Sequence, residues 1–198
     1  MLALIMAGGE GSRLNLGEKP LVSVGGRPMI ASVINAFKSY GCHVVVVASQ
    51  KTPMTQNWCR VNSVDMIPAA GEGYVEDMIA AVEDLGETDP LFVSVSDLPC
   101  LQSSVVERIH EAYRKSGMDA CSVWIPVTLV RNHGHMQYVE QIDGTDACPA
   151  GINILRGEMI KEQQEEFRLL LSEPRLAHNI NTRSDLIYVD SFLRSKQQ

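Results

Sequence analysis

The residues best equipped for chemistry stand near the start of the chain, in "LIMAGGEGSRLNLGEKPL". Gly8, Gly9 and Gly11 can turn backbone N–H groups toward one point, and Ser12, Arg13 and Lys19 add side-chain donors, so the loop is suited to an anion with several oxygens. Arg13 offers a fork for such an anion, while Lys19 offers a point charge that can neutralise negative charge building on a phosphoryl group. The plainer alternative is a tight turn carrying two solvated cations. Two familiar phosphate loops are excluded. A Walker loop needs Gly-Lys followed by Ser or Thr, whereas Gly17 is followed by Glu18, Lys19 and Pro20. A dinucleotide fingerprint built on Gly9 and Gly11 needs a small residue where Leu14 stands, and Pro20 would interrupt the helix that should follow. What remains is a longer loop, Gly8 to Lys19, able to wrap a triphosphate.

Asp97 closes the apolar run in "FVSVSDLP". A carboxylate at the end of a strand projects from the edge of the sheet, where it can hold Mg²⁺ against phosphate oxygens, since that ion keeps several waters and needs few protein ligands. The competing role is a turn or helix-capping aspartate before Pro99. Asn153, inside apolar "PAGINIL", is a polar amide on a buried strand that must find partners, either a substrate phosphate or sugar edge or the backbone. "NINT" sets Asn179 and Asn181 on one side of an extended segment. His133 and His135 flank a glycine in "RNHGHM", but without a third ligand nearby a loop close to a substrate is the better reading than a metal site.

The elements that must position these groups alternate. "LALIMA", "HVVVVAS", "VDMIPA" and "LFVSVSD" read as strands, separated by helix-period segments "MIASVINAFKSYG", "TPMTQNWCRV", "YVEDMIAAVEDLG" and "SVVERIHEAYRKSG". In the first helix Ile30, Val33, Ile34 and Phe37 share a face, Pro28 suits the first turn and Gly41 a stop. This βαβα order implies a three-layer α/β fold, a mostly parallel sheet with helices on both faces. After Ser122 the rhythm changes, and "SVWIPV" to "QYVEQID" reads as a mixed or antiparallel excursion before "PAGINIL" rejoins the sheet. "TRSD" at Thr182 offers a capping box for a closing helix bearing Leu186, Val189 and Leu193.

Bulk composition agrees. At 198 residues and 45% hydrophobic content the chain can bury one full core, so residues 1–198 are expected to form one domain. A net charge of −7 argues against a nucleic-acid or membrane-surface binder, and no stretch has the length of a membrane span or the make-up of a signal peptide. Five scattered cysteines, never spaced C-x-x-C, read as buried thiols. A cytoplasmic protein is expected.

"AGGEGSRLNLGEKPL" resembles the signature of the nucleotidyltransferases that share the sugar-nucleotide and molybdopterin-guanylyltransferase fold. With "KTPMTQ", "GEGYVEDM", "SDLPCL", "PAGINIL" and "NINTRSDL" following in that order, nearly the whole chain is similar to the archaeal GTP:adenosylcobinamide-phosphate guanylyltransferases, apart from Asn15-Leu16, where relatives commonly carry glycines. The resemblance implies a Rossmann-like nucleotidyltransferase fold in which Ala7, Gly8, Gly9, Gly11 and Ser12 hold the NTP phosphates, Arg13, Lys19 and Asp97 serve catalysis, Asp97 holds Mg²⁺, and Asn181 reaches the phosphates or metal. It makes Gly71, Glu72 and Gly73 the base and ribose pocket, with Glu72 or neighbouring carbonyls accepting from guanine N1–H and N2–H₂. GTP and adenosylcobinamide phosphate would be the partners, with no nucleic acid or membrane, and a homodimer is compatible. A molybdopterin or sugar-1-phosphate nucleotidyltransferase and a catalytically silent nucleotide sensor remain open alternatives at this level.

Overall fold

The structure, a computed structural model, describes residues 1–9, 14, 16–130 and 138–195. Gly11, Ser12 and Arg13 of the glycine-rich loop, and His133 and His135, lie outside the described residues. The chain begins with β1 (Leu2–Met6), a small hairpin of β2 (Ser23–Val24) and β3 (Arg27–Pro28), and α1 (Met29–Tyr40). There follow β4 (His43–Ser49), α2 (Pro53–Val61), β5 (Asp65–Ala69), α3 (Tyr74–Leu85), β6 (Pro90–Val95) and α4 (Ser103–Ser116). The second part comprises β7 (Ala120–Pro126), β8 (Glu140–Ile142), β9 (Thr145–Arg156), β10 (Glu166–Leu170) and α5 (Arg183–Ser195).

Among the described residues the main sheet has eight strands, ordered β10-β7-β9-β6-β1-β4-β5, with β8 paired to β9. The strands β5, β4, β1 and β6 run parallel, β9 is antiparallel to β6, β7 and β8, and β10 is parallel to β7. The expected α/β sheet is therefore present, mixed through β9. The hairpin β2/β3 and the edge strand β10 were not foreseen, because two-residue strands and a half-polar "EFRLL" carry too little periodicity.

β1 is buried at every position because helices cover both faces of the sheet. Ala3 and Ile5 pack with Ile30, Val33 and Phe37 of α1, Cys59 of α2 and Val105 of α4, while Leu2, Leu4 and Met6 pack with Met78, Ala81 and Val82 of α3. Gly41, at φ 99°, stops α1 as expected. No disulfide forms among the described residues, and burial pushes the thiols of Cys59 and Cys121 up to about 11 and about 12. No helix there is long and apolar enough to cross a membrane.

From β1 the chain builds outward to β4 and β5, then returns to place β6 on the other side of β1. The connections after β1 and β6 thus diverge, opening a crevice beyond the carboxyl ends of these two strands, the place where open α/β sheets hold ligands.

Candidate active site

A cleft of about 480 Å³ occupies that crevice, lined among others by Gly8 and Gly9 after β1, Lys51 after β4, Gly71 and Gly73 after β5, and Ser96 and Asp97 after β6. Each comes from a strand end, so the sheet itself sets their spacing. Lys19, Leu14 and Asn181 enter from the loop and from the start of α5.

The glycine-rich loop is anchored at two described points. Leu14, only 1% exposed, is buried in a small apolar cluster with Val22, Val24, Met29, Cys100, Ile180 and Val189, which explains why a large residue stands where a dinucleotide loop would need a small one. Further on, the Glu18 carboxylate accepts hydrogen bonds from the backbone N–H groups of Met54 and Thr55 at 2.7 and 2.6 Å and from the Thr55 hydroxyl at 2.6 Å. Thr52, at the N-cap position of α2, makes no side-chain capping bond, so Glu18 satisfies these donors from a distant part of the chain.

Lys19, adjacent to Glu18, forms an ion pair with Asp97 and donates to Asn181 Oδ1 at 2.8 Å. The two charged side chains keep only 18% and 14% of their surface exposed, so the pair lies inside the cleft rather than on its rim. Asp97 does not cap α4, which starts at Ser103 with Gln102 at its N-cap. The capping alternative for Asp97 therefore falls. Asn181 is held by the start of α5, where the Asp185 carboxylate accepts from the N–H groups of Asn181 and Thr182 at 3.2 and 2.8 Å, and Thr182 Oγ1 accepts from Asp185 N–H at 3.2 Å. This is the expected capping box, and its effect is to aim the neighbouring asparagine at Lys19. Asn179 is exposed and does not line the cleft.

On the other side, Lys51 Nζ donates to the Gly71 carbonyl at 3.4 Å. Gly71 adopts φ +81°, a left-handed conformation that favours glycine. Its N–H and that of Glu72 donate to Asp77 Oδ1 at 3.0 and 3.3 Å, so a carboxylate in the first turns of α3 fixes this loop. Tyr74, the first residue of α3, also lines the cleft, and its phenol pKa is raised, by burial first and by the Asp97 charge second. With 44% of the residue's surface still exposed, the direction is what matters: the hydroxyl stays neutral at physiological pH and can donate a hydrogen bond.

Several expected site residues lie elsewhere. Asn153 sits in the middle of β9, opposite Val93 and Ser122, outside the cleft, because β9 runs antiparallel and its register carries that residue back toward the centre of the sheet. In the same "PAGINIL" segment Gly151 adopts φ +78°, and a Cβ there would stand 2.6 Å from Cγ2 of Val95, a residue that lines the cleft. Ala7 is 1% exposed beneath the cleft floor, its N–H donating to the Val47 carbonyl at 2.8 Å. Glu72 contributes its backbone to the loop but does not line the cleft. Conversely Glu18, Lys51, Tyr74, Asp77 and Ser96 escaped the sequence reading. The signal for Lys51 was present in "KTPMTQ", directly after a strand, but a single lysine in a turn has no distinguishing period.

Among the described residues no group of three or more His, Cys, Asp or Glu could cage a metal ion. The Asp97 carboxylate suits a hard divalent cation whose other ligands are nucleotide oxygens and water.

Residues 3–145 match the MobA-like NTP transferase domain. The chain is 30% identical, over 98% of both chains, to an adenosylcobinamide-phosphate guanylyltransferase of Methanocaldococcus jannaschii. It is 27% identical to a molybdenum cofactor guanylyltransferase of Desulfosudis oleivorans, covering 97% of this chain and 95% of that one. Among solved structures, a CMP:2-keto-3-deoxy-manno-octonic acid synthetase complexed with CTP superposes with TM-score 0.75 over 99% of this chain and 98% of that one at 13% identity. The structure of a hypothetical transferase from Thermus thermophilus gives TM-score 0.74 at 16% identity over 93% of this chain and 98% of that one. The glycine-rich loop and the strand-end carboxylate thus belong to an enzyme rather than a silent sensor, and the chain is a member of the MobA-like nucleotidyltransferase family.

Proposed function

We propose that the protein transfers GMP from GTP to the phosphate of adenosylcobinamide phosphate, giving adenosylcobinamide-GDP and pyrophosphate. The observation that carries this choice of substrates is the relative named for that activity, which matches at 30% identity over 98% of both chains. The cleft supplies the means. An oxygen of the acceptor phosphate attacks the α-phosphorus of GTP in line, the bond to the bridging oxygen breaks, and pyrophosphate leaves with the electron pair. A phosphate monoester is largely ionised near neutral pH, with a second pKa of about 6, so no protein base is required. Catalysis then rests on positioning and on neutralising charge. Lys19, already held by Asp97 and Asn181, faces the transferring group, and Gly8 and Gly9 bring backbone to the phosphates. Mg²⁺, which Asp97 would hold, supplies a positive charge that draws electron density from the phosphate oxygens when bound.

The molybdenum cofactor relative at 27% identity supports a second reading, in which the same donor half serves a different acceptor. The deciding experiment is pyrophosphate release from GTP with adenosylcobinamide phosphate, molybdopterin or sugar 1-phosphates as acceptor. Turnover with the corrinoid alone is expected, and turnover with molybdopterin alone would replace the proposed acceptor.

A further inference from the structure

The strand order measures out the cleft. Asp97 follows β6, Gly8 and Gly9 follow β1, Lys51 follows β4 and Gly71 follows β5, and those strands are neighbours in that order. Past the strand ends the loops draw together: a Cβ at Gly8 would stand 3.3 Å and one at Gly71 3.5 Å from Ser49 Cβ, and Lys51 Cε lies 3.6 Å from the Gly71 position, so Lys51 and Gly71 share one end of the cleft, on the side of Gly8 away from Asp97 in the strand order. A nucleotide whose phosphates meet Lys19 and Asp97 therefore extends its base toward Lys51 and Gly71. At that end the cleft presents an ammonium donor beside a carbonyl acceptor, 3.4 Å apart.

We infer that Lys51 Nζ and the Gly71 carbonyl together read the purine at O6 and N1–H, making Lys51 the residue that selects guanine over adenine. Guanine offers an acceptor at O6 next to a donor at N1, the complement of this pair, whereas adenine offers the reverse, an amino donor at position 6 beside an acceptor at N1. With adenine the ammonium would face a donor and the carbonyl an acceptor, so both contacts are lost together. The contact to Gly71 uses one of three ammonium hydrogens and is long, leaving Lys51 able to donate to a ligand. The pair is held in place on both sides. Lys51 N–H donates to Ser49 Oγ at 3.2 Å while Ser49 Oγ donates to the Gly8 carbonyl at 2.8 Å, and the Gly71 N–H is fixed by Asp77 at 3.0 Å. Of the acceptors expected from sequence, the Glu72 carboxylate or a neighbouring backbone carbonyl, the geometry favours the carbonyl, since Glu72 does not line the cleft.

This inference rests on the reading of the cleft as a GTP site, and its test separates the two. Binding of GTP, ITP, ATP and 2-aminopurine riboside triphosphate to the full chain is measured calorimetrically without acceptor, for the natural protein and for Lys51→Met. ITP keeps O6 and N1–H but lacks the 2-amino group; 2-aminopurine keeps the amino group but lacks O6 and N1–H. GTP and ITP are expected to bind within about three-fold of each other, with ATP and the 2-aminopurine nucleotide weaker by on the order of a hundred-fold. Lys51→Met is expected to weaken GTP and ITP by at least about ten-fold and ATP by less than about three-fold. An equal loss for all four nucleotides would make Lys51 a phosphate contact and overturn the inference, as would rejection of ITP, absence of a guanine preference in the natural protein, or a preference that survives in Lys51→Met. Selective guanine binding with no pyrophosphate release on adding the corrinoid would sink the proposed acceptor while leaving Lys51's role intact.

Discussion

Glu18 and Thr55, which lie in different segments of the chain, are joined twice: the Glu18 carboxylate accepts from the Thr55 backbone N–H and from its hydroxyl, both at 2.6 Å. Because a negative group at a helix N-terminus also meets the positive end of the helix dipole, the contact ties the end of the glycine-rich loop firmly to α2. Lys19 is the next residue, so this tie sets where its ammonium stands. Glu18→Ala is expected to cost about 0.5–2 kcal/mol of stability, as for loss of a helix cap, yet to lower turnover by at least about ten-fold through misplacement of Lys19. Thermal midpoint and pyrophosphate release on one preparation separate these effects, and Glu18→Gln should recover part of both. Normal turnover with a lowered midpoint would leave Glu18 as a cap alone.

The ion pair of Asp97 with Lys19 lies inside the cleft, at the end where the proposed transfer would take place. Asp97→Asn keeps the size and a hydrogen-bond acceptor for Lys19 but weakens a metal ligand, so the fold should survive while turnover drops on the order of a hundred-fold and the Mg²⁺ requirement moves to higher concentration. The check is a Mg²⁺ titration of pyrophosphate release beside a melting curve. Near-normal activity at limiting Mg²⁺ would remove Asp97 from the reaction.

Gly151 has two reasons to be glycine, a left-handed backbone and a would-be Cβ 2.6 Å from Val95 Cγ2. Gly151→Ala is expected to cost roughly 2–4 kcal/mol from backbone strain and overpacking. At a few degrees of midpoint per kcal/mol for a chain of this size, that is a loss of about 5–15 °C. Val95 lines the cleft two residues before Asp97, so turnover should fall as well. Asn153→Ala, two residues away and outside the cleft, should leave turnover unchanged.

Away from the cleft, Glu173 is 4% exposed and accepts from Arg175 Nε at 2.7 Å and from Arg108 at 2.9 Å. These bonds, the side-chain bond from Arg175 first, hold its carboxyl below the ordinary 4.5. A depressed carboxyl stabilises the fold fully above its unfolded value, and the contribution fades as pH falls through the folded value. Glu173→Gln should therefore melt lower than the natural protein at pH 7, by about 1–3 kcal/mol, with the gap closing below about pH 4.5. A gap that stays constant from pH 7 to pH 3 would show that the charge is not its source.

The sequence by itself determined the α/β class, the alternation of elements from β1 to α4, the start of the closing helix and the groups at strand ends. These features are local: apolar period, glycine stops and capping residues are written within a few positions of one another. It also marked Lys19, Asp97 and Asn181 separately, and the rejection of Walker and dinucleotide loops followed from single residues. Only the tertiary structure decided that these three meet, since Lys19 and Asn181 are 162 positions apart and share a hydrogen bond only because α5 packs against the β2/β3 hairpin, where Gly25 N–H donates to Asp190, and on the apolar cluster around Leu14. It placed Asn153 outside the cleft, opposite Val93, because an antiparallel register assigns depth along a strand in a way no motif records. It also brought in Glu18 and Lys51, whose roles depend on where a helix N-terminus and a neighbouring carbonyl lie in space, a matter of packing between elements rather than of period within them.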